Sequence, residues 1–404
     1  MISDTGDWLL FIALPVVVYQ LTGSALGTSL AFLVELAPGI VLAPLTGRLA
    51  DRCDRRRLLL VVSAAQAAAL LPLLAVHTRS DLPILYAVIL VEAALMALFD
   101  PVKNAILPTL LPRAELVSAN ALVGLNQNVG RLIGGPLGGV VLAVGGLRLT
   151  VIVDVLSYLL AAAFISRLGA QAPSHDIRAA SQLGVVRSTS FIATVRDRRT
   201  RVGLLVAFTS QIAQGIFVVL FVLFVAQRLH RGAAEIGLLR GVQAIGAIGA
   251  SLVLTSLARR TGPAALTALS ATAFGVLSFA VWNAPSVSTA TPLYVALFIL
   301  VGAPGIVMST AIISNLQLVT SDGERGRAFA ALGLAGNAGQ SIGMLAAGFL
   351  TAPLGLMTVL NTQAVLYLVV GMIAGCWMTD RTARRRHSLP SPPQVTTDRV
   401  SNPR

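Results

Sequence analysis

Lysine is almost missing from this chain, and the one present, Lys103, follows Val102. The Gly-Lys-Ser/Thr core of a phosphate-cradling loop therefore cannot form, which excludes ATP hydrolysis by the chain itself. Histidine is nearly as scarce. His77, His175, His230 and His387 lie too far apart for an HExxH site or another metal-hydrolase constellation. Cys53 and Cys376, the two cysteines, have no paired spacing for a metal or a disulfide framework. Charge is also thin: 12% of the 404 residues are charged and 55% are hydrophobic, for a mean hydropathy of +0.81. A soluble domain cannot clothe its surface with that composition, so water is not the main solvent. No catalytic residues, metal or cofactor are expected.

What the chain has instead is a series of apolar runs of about 20 residues, the length that crosses a bilayer. They fall at 2–21, 27–47, 57–76, 82–103, 117–144 and 149–167, and again at 201–227, 235–257, 263–282, 292–315, 327–350 and 355–378. The pattern predicts an all-α integral membrane protein of about 12 transmembrane helices in two six-helix, pseudo-symmetric bundles, 1–167 and 201–379. Segment 168–200, with Pro173, Ser174, His175 and many arginines, is the expected cytoplasmic connector. The stretch 380–404, basic and then Pro-rich, is expected to be a disordered tail.

The net charge of +13 sits in short clusters at the ends of apolar runs rather than on one amphipathic face. These clusters are topology signals, and no nucleic-acid partner is expected. With both termini inside, the inner loops receive Arg48, Arg113, the connector arginines, Arg259, Arg260, Arg325, Arg327 and the tail cluster. The outer loops receive only Arg79, Arg148, Arg228 and Arg231. The expected setting is the cytoplasmic cell membrane, multi-pass, with both termini cytoplasmic and the protein monomeric in the lipid bilayer. An offset of 209 residues superposes Ala119 on Ala328, Asn128 on Asn337, Gly130 on Gly339, Gly134 on Gly343 and Gly139 on Gly348, which points to a duplicated unit.

Two segments carry a family resemblance. GRLADRCDRRR, from Gly47 to Arg57, has a Gly, then Asp51, then the basic group Arg52, Arg55 and Arg56. It resembles the cytoplasmic signature between the second and third helices of the major facilitator superfamily, with Asp54 where the signature usually has Gly. The resemblance implies a gating loop that locks the two halves until the carrier turns over. The second segment, Phe99 to Gly139, resembles a drug, macrolide and siderophore exporter branch of that superfamily. Within it, Gly130, Gly134, Gly135, Pro136, Gly138 and Gly139 resemble the antiporter signature of the fifth helix, where Gly and Pro let helices approach and bend. Arg131 stands where that signature has its leading Gly.

Ionisable groups inside hydrocarbon are costly, so each is a candidate for a proton or substrate site. Glu92 lies mid-run on a face shared with Met96, Asp100 and Lys103. Asp100 and Lys103 read as a structural ion pair, and Glu92 as a coupling residue. Asp4 and Asp7 follow Met1 with no Lys or Arg before them. The given start is expected to lie within the first helix, which puts Asp7 in the membrane, where members of the superfamily often keep an acidic coupling residue. Glu35 is a weaker coupling candidate. Gln127, Arg131, Gly134 and Gly138 form one stripe, and Arg131 is too deep to snorkel. The substrate-cavity candidates are Arg131, Gln127 and Asn128, with Asn337 and Gln340 as their counterparts and Gln211 and Gln214 on the seventh run. Gln211 and Gln214 equally suit a helix contact. Asp154 and Arg240, about two turns from the outer surface, read as structural.

Three functions follow. The first is secondary, proton-coupled efflux of a hydrophobic or amphipathic small molecule (drug, antibiotic or siderophore-like) by alternating access, with the proton gradient as driving force. The second is a facilitator-type importer of a small metabolite, for which the 5% aromatic content argues against a dedicated sugar site. The third is a membrane scaffold or sensor that does not transport.

Overall fold

The computed structural model describes residues 2–42, 54–110, 116–167, 197–320 and 324–387, and these form twelve α-helices. The first four are α1 (Ile2–Thr22), α2 (Ala25–Val41), α3 (Arg55–Leu70) and α4 (Leu82–Leu110). Leu116–Ser166 is helical on both sides of Gly146, whose φ of 63° and ψ of −165° divide it into α5 (116–145) and α6 (147–166). Then come α7 (Arg198–Gln227), α8 (Ala233–Arg260), α9 (Pro263–Asn283), α10 (Thr291–Val319), α11 (Arg325–Leu354) and α12 (Leu356–His387). Nine described segments are long and apolar enough to cross a membrane, and the one at Val129–Ser166 folds back at Gly146. Gly, Asn and Gln dilute the apolar content of α11, yet its 30 residues reach about 45 Å. α2 is described over 17 residues.

Large apolar side chains such as Leu71, Val144, Leu160, Leu252, Leu269 and Phe349 are exposed around the bundle, as lipid contact requires. Inside, α7 is buried on every side from Ile216 to Val225. Without a hydrophobic force between helices in lipid, close packing must come from small residues. The glycines of α5 supply it on two faces. A Cβ at Gly134 would lie 2.6 Å from the Thr5 carbonyl and 2.7 Å from Trp8 Cβ, and one at Gly138 would lie 2.8 Å from Leu9 Cα, all on α1. On the other face, a Cβ at Gly135 would lie 3.1 Å from the Gly237 carbonyl, and Gly139 presses on the Ala233 carbonyl, both on α8.

The second half repeats this. Gly339 and Gly343 of α11 press on the Phe208 and Ile212 carbonyls of α7, and a Cβ at Gly348 would lie 3.0 Å from Ser29 of α2. The pairs matched by the 209-residue offset therefore pack equivalently: Gly130 and Gly339, like Gly134 and Gly343, within their own halves, and Gly139 and Gly348 each on a helix of the other half. The same offset relates Gly146 to Gly355, which turns α11 into α12 with φ of 83°. Both turns need the left-handed conformation that only glycine adopts cheaply.

Several expectations shift. α4 runs on to Leu110, beyond the expected end at 103. α12 continues to His387, so residues 380–387, assigned above to the tail, are helical. No Gly or Pro interrupts Arg381 to Arg386, and basic residues suit a helix C-terminus. Asp54, out of place in the gating signature, caps α3 by accepting a hydrogen bond from the Arg57 N–H at 3.0 Å. Arg56 donates to the Ser166 carbonyl at the end of α6. Gly47, Asp51, Arg52, the connector at 168–196 and the tail at 388–404 lie outside the described residues, as do the side chains of Arg55, Asp100, Gln127 and Asn128.

The glycine contacts give a stability test. Gly134→Ala overpacks the α1–α5 contact, which costs about 1–3 kcal/mol, whereas Gly249→Ala on α8 meets nothing within 4 Å. Thermal melting of the purified protein should fall for the first variant and hold or rise for the second; equal shifts would contradict the packing.

Candidate functional site

Among the described residues, two larger cavities in the bundle differ in charge. The first, of about 420 Å³, opens between α1, α2, α4 and α6. Asp7, Glu35, Glu92 and Tyr158 project into an otherwise apolar lining, with Phe11 and Met96 among its walls. The three coupling candidates are thus brought to one chamber. Tyr158 donates to Asp7 Oδ1 at 2.7 Å and receives Gln66 Nε2 of α3 at 3.3 Å, and the same amide reaches Glu92 Oε2 at 3.5 Å. Asp7 and Glu92 are therefore linked across four helices through Tyr158 and Gln66.

Asp154 stands behind this chamber. It is fully buried against Gly6 of α1, whose missing side chain makes room for the carboxylate. Ser157 donates to its Oδ1 at 2.9 Å, while Asp154 Oδ2 and Glu92 Oε1 are buried with no hydrogen-bond partner. Asp7, Glu92 and Asp154 lie within electrostatic reach of one another. Among the described residues, no three His, Cys, Asp or Glu side chains converge as metal ligands.

The second cavity, of about 360 Å³, lies between α5 and the helices of the C-terminal half. Arg131 and Arg240 line it together with Gln211, Gln214, Gln243 and Tyr367. Arg240 is 9% exposed, and it donates to Gln243 Oε1 at 3.4 Å. Arg131 Nε and Gln243 Nε2 are buried without acceptors. Tyr367 donates to Gln214 Oε1 at 3.3 Å, so Gln214 serves both a helix contact and the cavity. Neither guanidinium forms an ion pair among the described residues.

A wall of aromatic rings on α1 separates the two chambers. Trp8 and Phe11 meet edge to face at 4.9 Å and line the acidic cavity. On the far side, the Arg131 guanidinium lies 5.9 Å from the Trp8 ring, and that of Arg240 lies 5.8 Å from Phe11 and 4.9 Å from Phe217. Such contacts contribute about 0.5–2 kcal/mol each. A charge at mid-bilayer costs about 2.5–3.5 kcal/mol by insertion scales. The rings therefore offset part of that cost without neutralising either cation.

Sequence reading missed the connecting residues. Asp154 and Arg240, expected to be satisfied structurally near the outer surface, are instead buried members of the acidic and basic groups, because α6 and α8 turn those faces inward. The signal was present in the spacing: Asp154, Ser157 and Tyr158 share one face of α6, as Arg240 and Gln243 do on α8. Asn337 and Gln340 line neither cavity, and the Gln340 carbonyl packs against Gly215. Lys103 lies 3.6 Å from Asp4 Oδ1, and Asn126 donates to Asp4 Oδ2 at 2.6 Å, tying α4 and α5 to the start of α1.

Comparisons with known proteins agree with this architecture. The chain is 26% identical over 391 residues to the multidrug efflux pump Tap of Mycolicibacterium fortuitum, covering 92% of each chain. It is 34% identical over 143 residues to the MFS-type transporter YfiS of Bacillus subtilis, spanning 34% of that protein's length. It is 28% identical over 142 residues to macrolide efflux protein A of Streptococcus pyogenes, spanning 35% of its length. Among solved structures, the nucleoside transporter NupG superposes with a TM-score of 0.74 at 14% identity, over 93% of this chain and 96% of its own. A bacterial homologue of the iron transporter ferroportin, in an inward-facing state, does so with a TM-score of 0.70 at 17% identity, over 92% and 96%. At those identities the structures establish the fold alone. The model of the transmembrane secretion effector family (MFS_3) matches residues 1–398, and the chain belongs to that family of major facilitator transporters.

Proposed function

We propose that this protein is a proton-coupled exporter of hydrophobic or amphipathic small molecules that works by alternating access. The observation that carries the reading is the chamber in which Asp7, Glu35 and Glu92 meet in an otherwise apolar lining. Carboxyls in an apolar lining can lower their joint charge by binding protons, and Tyr158 and Gln66 tie Asp7 and Glu92 into one hydrogen-bonded group, so that a change of charge at one is felt at the other. Protons enter from outside, pass through these acids and leave inside, while substrate moves outward. The names of Tap and of macrolide efflux protein A support the direction.

The arginine bias between alternate loops supports cytoplasmic termini. In that orientation, the end closed by Gly139 on α8 and Gly348 on α2 is the outer one. The proton gradient then acts on acids that communicate with only one side of the membrane at a time.

Proteoliposomes with an imposed pH gradient test the coupling, read with a panel of neutral, cationic and anionic dyes. Gradient-driven transport should fall about tenfold or more in Glu92→Gln and Asp7→Asn while downhill exchange persists. Transport indifferent to the gradient and to both substitutions would overturn the reading. Topology is checked separately in a Cys53→Ser/Cys376→Ser background. A cysteine introduced at Arg231 should react with an impermeant maleimide added outside intact cells, and one introduced at Arg260 should react only after permeabilisation.

A further inference from the structure

We infer that the basic chamber is a binding site for the carboxylate of an amphipathic organic anion, so that the protein's substrates include acids rather than the cations usually used to probe multidrug carriers. The assignment deepens the export reading and rests on it for the direction of transport, though not for binding.

The argument begins with what the chamber leaves unmet. Arg131 Nε and Gln243 Nε2 are buried donors with no acceptor. Arg240 reaches one amide oxygen, at the long distance of 3.4 Å, and Tyr367 has already committed its hydroxyl to Gln214. Two guanidinium groups act on each other as like charges, with no carboxylate paired to either among the described residues. Among the described residues, buried donors are left without acceptors and the positive charge is uncompensated. The missing partner is therefore an acceptor that carries negative charge.

Guanidinium geometry narrows the partner further. Its planar fork matches a carboxylate with two parallel hydrogen bonds, and charge-assisted bonds of this type are about twice as strong as neutral ones. Phe217, Phe274, Val301 and Met308 supply an apolar wall beside the cations. A volume of about 360 Å³ falls within the range of small-molecule sites. A small hydrophilic ion would leave that wall empty, and a cationic amphiphile would meet two like charges. The aromatic rings of Trp8 and Phe11 stand between the carboxyls of the other chamber and these guanidinium groups.

The test is equilibrium binding to the full chain in nanodiscs, without any gradient. The probes are fluorescent dansylaminoundecanoate, its methyl ester, and the corresponding primary amine. Wild-type protein should bind the carboxylate about tenfold or more tightly than the ester and reject the amine. Arg131→Gln and Arg240→Gln should each reduce carboxylate affinity to that of the ester and leave ester binding intact, which also reports folding. Arg327→Gln, which removes the same charge at a surface position, should change nothing. Equal affinity of wild-type protein for carboxylate and ester would overturn the assignment without any variant, and so would a preference that survives both substitutions together. Competition of the carboxylate by millimolar chloride or inorganic phosphate would overturn its organic source. Because no transport is measured, a negative result leaves proton coupling standing, and a coupling failure leaves this binding result standing.

Discussion

The backbone of α5 touches the backbones of both α1 and α8, and the placement of charge follows from that double contact. Gly134 and Gly138 let α5 settle on α1, which carries Arg131 onto the face of Trp8 one turn away. Gly135 and Gly139 let α8 settle on α5, and Arg240, one turn beyond Gly237, then reaches Phe11 and Phe217. Side chains any larger would hold these helices apart and move both guanidinium groups away from the rings. In lipid, where dispersion and polar contacts replace the hydrophobic effect between helices, such approach is the main source of packing energy. The geometry of the chambers is thus set by residues that have no side chain.

Among the described residues, the guanidinium groups of Arg131 and Arg240 are held apart from the buried carboxyls of Glu92 and Asp154 rather than paired with them. Four carboxyls lie on one side of α1 and two guanidinium groups on the other, with Trp8 and Phe11 between them. A close buried pair would neutralise both partners and is costly to break, about 3–5 kcal/mol when one is removed. Separation leaves each group answerable to something mobile. A carrier benefits from this, because a charge satisfied permanently within the protein has no work left to offer a proton or a solute.

The parts of this arrangement that announce themselves in sequence are those with a period or a length. Apolar runs located all twelve helices, and the 209-residue offset located glycines that do equivalent packing in the two halves. Gly146 and Gly355 obey the same offset, but a lone glycine at a turn stands out only once its φ is known. Glu92, Asp7 and Glu35 were legible because a carboxyl in an apolar run is conspicuous. Their convergence was not legible, since it depends on which face each helix turns inward. Tyr158 and Gln66 pass as ordinary helical residues until their hydroxyl and amide are seen joining Asp7 to Glu92. Arg240 misled for a related reason. Its distance from the chain turn suggested an easy route to water, yet packing of α8 on α5 and α10 sealed that route.

The double contact of α5 also bears on how this protein can evolve. The face toward α1 and the face toward α8 admit almost no side-chain growth, and Arg131 occupies the strip between them. Variants with an altered substrate range must therefore arise on other walls, chiefly at Phe217 and Met308, where a change in bulk reshapes a chamber without disturbing a helix contact made by glycine. Diversity among descendants of this chain should accumulate there, while α5 stays nearly silent.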